Sequence, residues 1–288
     1  MQYLVHLGII SSIYAILGVS LNLVVGYAGL LSVTHAAFYG MGAYATGILM
    51  LSYGFGFFAS MIFGMAIAGC AAWFIAIISG KFKGDYYALV SFGFNIIVFS
   101  ILLNWQSLTR GPLGIPGIPK PVIFGMPLVS NGQFLVLSLI ALVCVYTIAN
   151  GIVSSSFGRA LKGIREDEEA LRVFGYAVTR YKRIIFVVGA MLAAVAGSLF
   201  ASYISYIDPS TFTLNESIFI LSIIILGGLA NLRGSVAGAV FFILLPEILR
   251  FVGFPPDIAA QMRQVVYGVM LVLLMLYRPQ GLMGEYAL

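Results

Sequence analysis

Runs of uncharged, mostly apolar residues, each about 20 long, follow one another along almost the whole chain, and that is the length of helix needed to cross a bilayer's hydrocarbon core. They fall approximately at residues 4–27, 34–53, 57–79, 87–105, 132–153, 184–206, 217–230, 235–252 and 260–277. Of the 288 residues, 61% are hydrophobic and 9% charged, and mean hydropathy is +1.05. A soluble domain carries about 25% charged residues. The expected fold is therefore an all-α integral membrane protein: one polytopic helical bundle over residues 1–288, with about eight or nine transmembrane segments.

The few charges are unevenly placed. The segment GRALKGIREDEEALRVFGYAVTRYKR, residues 158–183, holds 11 of the 25: Arg159, Lys162, Arg165, Arg172, Arg180, Lys182 and Arg183, with Glu166, Asp167, Glu168 and Glu169. The other basic residues lie between apolar runs, without the interleaved aromatics of a nucleic-acid-binding face. The net charge of +5 thus bears on membrane orientation, and nucleic acid is not an expected partner. Eleven of the 15 Lys and Arg fall on one side of the bundle: Lys81, Lys83, the seven of 158–183, Arg233 and Arg278. Arg110, Lys120, Arg250 and Arg263 fall on the other. The positive-inside rule puts the first side in the cytoplasm, with the N-terminus outside and the C-terminus inside. No basic residue precedes the first apolar run, so no cleavable signal peptide is expected and Met1 is read as the mature start. Cys70 and Cys144 lie inside apolar runs, where a thiol acts as a small hydrophobe, and no disulfide is expected.

Two stretches interrupt the helical pattern. The external loop at 106–131 carries Pro112, Pro116, Pro119, Pro121 and Pro127, half of the ten prolines, and cannot be helical throughout. Its stiff backbone suits a lid, a landing surface for an external partner, or a plain connector. The second, GGLANLRGSVAG at 227–238, separates two runs too short to be ordinary spans. It reads equally as a half-helix or re-entrant element beside a pathway, or as a short turn between tilted helices. Small residues recur at spacings that allow close helix contact, among them Gly26, Gly29, Gly40 and Gly42, then Gly189, Ala193 and Gly197, then Gly234 and Gly238.

Within 158–183 the charges are ordered. A short helix over EDEEALRVFG, 166–175, places Glu166, Asp167, Glu168 and Glu169 in its first turn, Arg172 in its last, and Gly175 at a left-handed cap. Glu168 and Arg172 form an i, i+4 pair. A helix of about eight residues is about 12 Å long and marginal alone, so it needs support on both sides. Leu161, Ile164, Leu171 and Phe174 are the apolar positions that the membrane domain or a cytoplasmic partner could bury.

Glu169, Ala170 and Gly175, in EALRVFG, resemble the E-A-A-x-x-x-G loop of ABC importer permeases, with Leu171 replacing the second Ala. The segments LNLVVGYAGLLSVTHAAFYGMGAYATGIL, GDYYALVSFGF, NWQSLTRGPLGIPGIP, FGRALKGIREDEEALRVFGY and ILGGLANLRGSVAGA widen the likeness. Together they resemble the LivM-type permease subunits of branched-chain amino acid importers, in the hydrophobic amino acid uptake family, over nearly the whole chain. The departures are Leu30 where Gln is expected, Thr34 for Gly, and Arg110 and Leu113 for Gly and Asn. The resemblance implies an ABC permease domain over 1–288 that moves branched-chain or other hydrophobic amino acids across the bacterial inner membrane. Permeases for urea or short-chain amides in the same family are the alternative. It also implies a heterodimer with a LivH-type second permease, two cytoplasmic ATPase subunits and an external substrate-binding protein. ATP and Mg belong to the ATPases, since this chain has no G-x-x-x-x-G-K-[ST] loop and no cofactor is expected on it. The segment 158–183 becomes the coupling loop, with Arg159, Arg165, Glu166, Asp167, Glu169 and Gly175 as its contact residues.

For the substrate pathway, the candidates are polar or aromatic residues within apolar runs: Asn22, Ser32, His35, Tyr39, Tyr44, Asn95 and Asn104. Each has a packing role as its competitor, His35 as a bond between helices above all. An ion-coupled secondary transporter would bury an ionisable group in mid-membrane, whereas Asp208, Glu216 and Glu247 lie toward segment ends. A membrane enzyme or metal centre would need clustered His, Asp or Glu. The two histidines, His6 and His35, have no acidic residue near them in sequence.

Overall fold

The computed structural model describes residues 2–80, 82, 84–123, 126–128, 130–250 and scattered positions between 265 and 283. Helix α1 (Gln2–Asn22) runs into a π turn (Leu23–Tyr27) and is followed by α2 (His35–Ser52), α3 (Phe57–Ser79) and α4 (Asp85–Asn104). After the short α5 (Gln106–Thr109) come α6 (Asn131–Ser154), α7 (Ser156–Glu166), α8 (Glu168–Val173) and α9 (Val178–Ile204). Then follow α10 (Leu214–Gly227) and α11 (Leu232–Arg250). Eight of the nine apolar runs thus coincide with helices to within a few residues; the run at 260–277 lies almost wholly outside the described residues, as do Lys81, Lys83, Arg263 and Arg278. Among the described residues, five helices are long and apolar enough to cross a membrane: α1 with its π turn, α3, α4, α6 and α9. The chain is a polytopic helical membrane protein. It is not wholly α: in the proline-rich loop, β1 (Ile115–Pro116) pairs with β4 (Tyr206–Ile207), and β2 (Val122–Ile123) with β3 (Met126–Pro127), each over two residues.

Burial divides the spans. In α1 and α9, 78% and 72% of the most apolar window is buried, against 33%, 28% and 22% in α3, α4 and α6. The first two form the core and the others face outward, with the free thiols Cys70 and Cys144 on the exterior of α3 and α6. Helix α2 lies parallel to α9, since Thr46 and Met50 meet Ser198 and Ser202 in the same order. Small residues permit this approach: a Cβ on Gly197 would lie inside the Tyr39 carbonyl. With no hydrophobic drive between helices in lipid, such backbone-to-backbone contact supplies the dispersion energy, and the Thr46–Ser198 hydrogen bond (2.7 Å) adds about 0.6 kcal/mol.

The interruption after α10 is a tight antiparallel turn, with the Gly227 and Gly234 backbones in contact. Its amides and carbonyls are held by one side chain. Asn22 Nδ2 donates to Gly228 O (3.2 Å), Asn231 O (3.0 Å) and Ser235 Oγ (2.6 Å), and Asn22 Oδ1 accepts from Ala230 N (3.0 Å). The α10 carbonyls of Leu226 and Gly227 accept from the Leu282 and Met283 amides, satisfying groups that a helix end leaves open. The structure contains part of both readings: the break itself is a short turn, and α10, at 14 residues, is a half-length helix. Irregular backbone occurs at 28–34, ahead of α2, and a 3-10 turn (Pro209–Phe212) stands ahead of α10. Most of 28–34 is buried in protein, the condition under which such backbone is tolerated, and in 208–213 Pro209 and Phe212 are buried.

Candidate functional site

Two groups of residues stand out: a buried polar cluster and the charged hairpin α7–α8.

The cluster forms where the starts of α2 and α10 meet α4. The Ala36 amide, one of the first α2 donors, bonds Ser217 Oγ (3.0 Å), and Asn95 Nδ2 donates to the same oxygen (2.9 Å) and to Val33 O (3.0 Å). Val33 N donates to Ser91 Oγ (3.1 Å), and Ser32 and Thr34 hydroxyls bond each other (2.8 Å). Around this framework several buried polar atoms have no hydrogen-bond partner among the described residues: Asn95 Oδ1 and the Tyr39 and Tyr44 hydroxyls, while the His35 ring lies against the Ser20 backbone. Each such orphan costs about 1–3 kcal/mol, so an arrangement with several marks a place suited to water or a polar solute. Phe212 closes the side toward Tyr39 and Tyr44, with ring centroids at 5.0 and 6.0 Å.

The structure therefore links Asn95 to the 32–34 backbone that carries Ser32, strings His35, Tyr39 and Tyr44 along α2, and leaves two candidates out. Asn22 is committed to the α10–α11 turn. Asn104 is exposed near the end of α4, where its amide donates to Ser100 O (2.8 Å). Ser91 and Ser217 belong to the cluster but carry no sequence signal that separates them from other helix serines. Glu216 corrects the reading that acids stand clear of the interior. It opens α10, yet α10 starts beside the middle of α1, where Tyr14 OH donates to Glu216 Oε1 (2.6 Å). The end of a half-length helix is not the end of the membrane.

The hairpin departs from the single helix expected over 166–175. Glu166 closes α7, Asp167 is extended (φ −149°, ψ 97°), and α8 begins at Glu168. Asp167 Oδ1 accepts from Glu169 N (3.0 Å) and Ala170 N (2.9 Å), so it is an N-cap that stops one helix and starts the next. The C-terminal reading holds: Gly175 has φ +85°, Tyr176 N bonds Leu171 O, and Gly175 N bonds Arg172 O, the two bonds of a Schellman cap. Glu168 binds Arg172 at 2.5 Å as expected, and with its other oxygen reaches Lys182 of α9 at 2.6 Å.

The hairpin has two faces. Leu161 and Ile164 are buried inward, and Arg165 Nη1 donates to Gly26 O in the π turn of α1. Outward stand Arg159, Glu166, Asp167, Glu169 and Gly175, with Val173 and Phe174 86% and 78% exposed. A charged hairpin tied to the core of an apolar helical bundle defines a multi-pass membrane protein.

Comparison with known proteins makes the class specific. Residues 3–275 match the family described as branched-chain amino acid transport system / permease component, and the chain belongs to that family. It is 33% identical to the high-affinity branched-chain amino acid transport system permease protein LivM of Salmonella typhimurium, over 97% of this chain and 69% of that protein. It is 32% identical to Escherichia coli K12 LivM over the same shares, and 22% identical to E. coli K12 LivH over 96% of this chain and 92% of LivH. No solved structure matches. The chain is thus a permease component, a transport subunit and not an enzyme.

Proposed function

We propose that this chain is the membrane half of an ATP-driven importer of branched-chain or other hydrophobic amino acids in a bacterial inner membrane. It crosses eight or nine times, with its N-terminus outside and residues 158–183 in the cytoplasm. A LivH-type permease completes the path, an external binding protein delivers substrate near the loop at 106–131, and two ATPase subunits hold ATP and Mg. The hairpin α7–α8 docks on one of those ATPases.

The observation that carries this reading is the two-faced hairpin. Its outward tip offers Val173 and Phe174 among charges, and its inward side is tied to α9 by Glu168–Lys182 and to α1 by Arg165–Gly26. A push on α8 is then delivered to the two most buried helices and becomes rigid-body rocking of the bundle. The cluster of Ser32, His35, Tyr39, Tyr44 and Asn95 is the reading for the path. An uncharged, hydrogen-bonding passage solvates a zwitterionic head group without a deep binding well.

The test is ATP-driven uptake of labelled leucine into vesicles holding the permease pair and ATPases, with binding protein added. Glu169→Lys, which reverses charge at the tip, and Gly175→Leu, which cannot relax at φ +85°, are expected to abolish uptake while membrane insertion persists. Uptake at the unmodified rate in both would remove the coupling assignment.

A further inference from the structure

Helix α10 is 14 residues long, and its first turn lies inside the bundle, beside Tyr14 at the middle of α1 and Asn95 at the middle of α4. A helix start leaves its first amides without partners in the helix itself. Here Thr213 O accepts from Glu216 N (3.1 Å) and Ser217 N (3.4 Å), and the amides of Leu214 and Asn215 have no acceptor among the described residues. The sequence offers a remedy that the structure does not use. A Thr at 213 and a Glu at 216 have the spacing of a capping box, yet the Thr213 side chain makes no cap bond. The Glu216 carboxylate turns instead to Tyr14 OH (2.6 Å), a neutral donor and its one described side-chain partner.

This turn is not closed over: Thr213, Leu214 and Glu216 are half-buried and Asn215 is exposed. Open amides, a carboxylate and an exposed Asn at mid-membrane depth find no partner in acyl chains, so this side of the chain faces water or protein. Two buried groups at the same turn also lack partners. Asn95, 1% exposed, bonds Ser217 Oγ through Nδ2, and the Oδ1 of the same amide is unpaired. Tyr39 is fully buried, with its hydroxyl unpaired and within electrostatic reach of Glu216. Glu216 and Asn95 Oδ1 are acceptors, whereas the two amides and the Tyr39 hydroxyl are donors. A solute that uses both sets carries an ammonium and a carboxylate on one carbon, and the positive end of the helix dipole favours the carboxylate. Urea and short-chain amides carry neither charge.

We propose that the start of α10 is the subsite for the α-amino and α-carboxylate groups of the transported amino acid. Glu216 takes the ammonium, and the Leu214 and Asn215 amides take the carboxylate. The subsite rests on the reading of this chain as an amino acid permease, and it adds one carboxylate to an otherwise uncharged passage. The substrate's side chain has no part in it, so apolar amino acids of different shape are held alike and urea is passed over.

The experiment uses the complete transporter in proteoliposomes, with binding protein and leucine. Asn215→Cys, in a Cys70→Ala and Cys144→Ala background, is treated with a charged, water-soluble thiosulfonate and compared with the native Cys144 thiol on the exterior of α6. Labelling of Asn215→Cys at least about tenfold faster than Cys144 is expected, slowed several-fold by excess leucine during turnover and not by excess urea. Labelling no faster than Cys144, in the nucleotide-free and ATP-trapped complexes alike, overturns the proposal, as does labelling that leucine leaves unchanged. Glu216→Gln is expected to cut leucine uptake about tenfold or more while ATP hydrolysis stimulated by the binding protein continues, with part of the uptake recovered in Glu216→Asp. If Glu216→Gln does not assemble, the labelling decides. A parent complex that takes up no leucine overturns both this subsite and the transport reading; an active parent whose Glu216→Gln variant is equally active overturns the subsite alone.

Discussion

Replacing Asn22 with Ala separates a structural role from a transport role at a residue whose sequence position suits both. The side chain makes four hydrogen bonds to the α10–α11 turn. At about 0.6 kcal/mol each for bonds between membrane helices, the set is worth roughly 2 kcal/mol. Removing it also leaves the Ala230 amide buried without its acceptor, at about 1–3 kcal/mol. The sum is a destabilisation of about 3–5 kcal/mol, which at about 2–4 °C per kcal/mol corresponds to a fall of roughly 10 °C in melting temperature. The assay is thermal unfolding of the purified complex in detergent, with Asn104→Ala as control, because that amide bonds a carbonyl of its own helix and is exposed. The control is expected to melt as the unmodified protein does. An Asn22→Ala protein that melts within a degree of the unmodified one, yet has lost uptake, would refute the structural reasoning and return Asn22 to the pathway.

Other perturbations probe the remaining contacts. Gly197→Val drives a branched side chain into the Tyr39 carbonyl and is expected to prevent stable assembly of α2 on α9, seen as loss of the monodisperse peak in size-exclusion chromatography. Asn95→Ala removes two bonds of the polar cluster and is expected to cut uptake about tenfold or more with assembly retained; uptake near the unmodified rate would detach the cluster from transport. His35→Gln keeps a polar, neutral group beside the Ser20 backbone, and assembly should persist. A change in the ratio of leucine to urea uptake then places His35 on the path, and an unchanged ratio makes it structural. Glu168→Gln weakens two partly exposed ion pairs, each worth about 0–1 kcal/mol, so stability should change little while uptake per ATP falls if the Lys182 contact transmits motion.

What sequence alone decided is tied to rules that act over a few residues. Runs free of charge must be helices in lipid because each backbone amide needs a partner there, and all eight runs that fall among the described residues are helices. The cap at Gly175 and the Glu168–Arg172 pair follow from helix-end and i, i+4 geometry. In the amphipathic α7, the inward positions Leu161 and Ile164 were legible from spacing against charged neighbours. In α1, α3 and α4 no such contrast exists, because lipid is as apolar as the protein core and both faces of a span read alike. Which helices are central was therefore decided by tertiary contact, through Gly197 on Tyr39 and Thr46 on Ser198. Long-range packing also decided that Asn22 holds a turn more than 200 residues away and that α10 starts in mid-bundle beside Tyr14. Asp167 lay between the two regimes. Its side chain favours a cap wherever it stands, but whether it would end α7 or sit inside a longer helix depended on the contacts that hold α7 against α1 and α8 against α9.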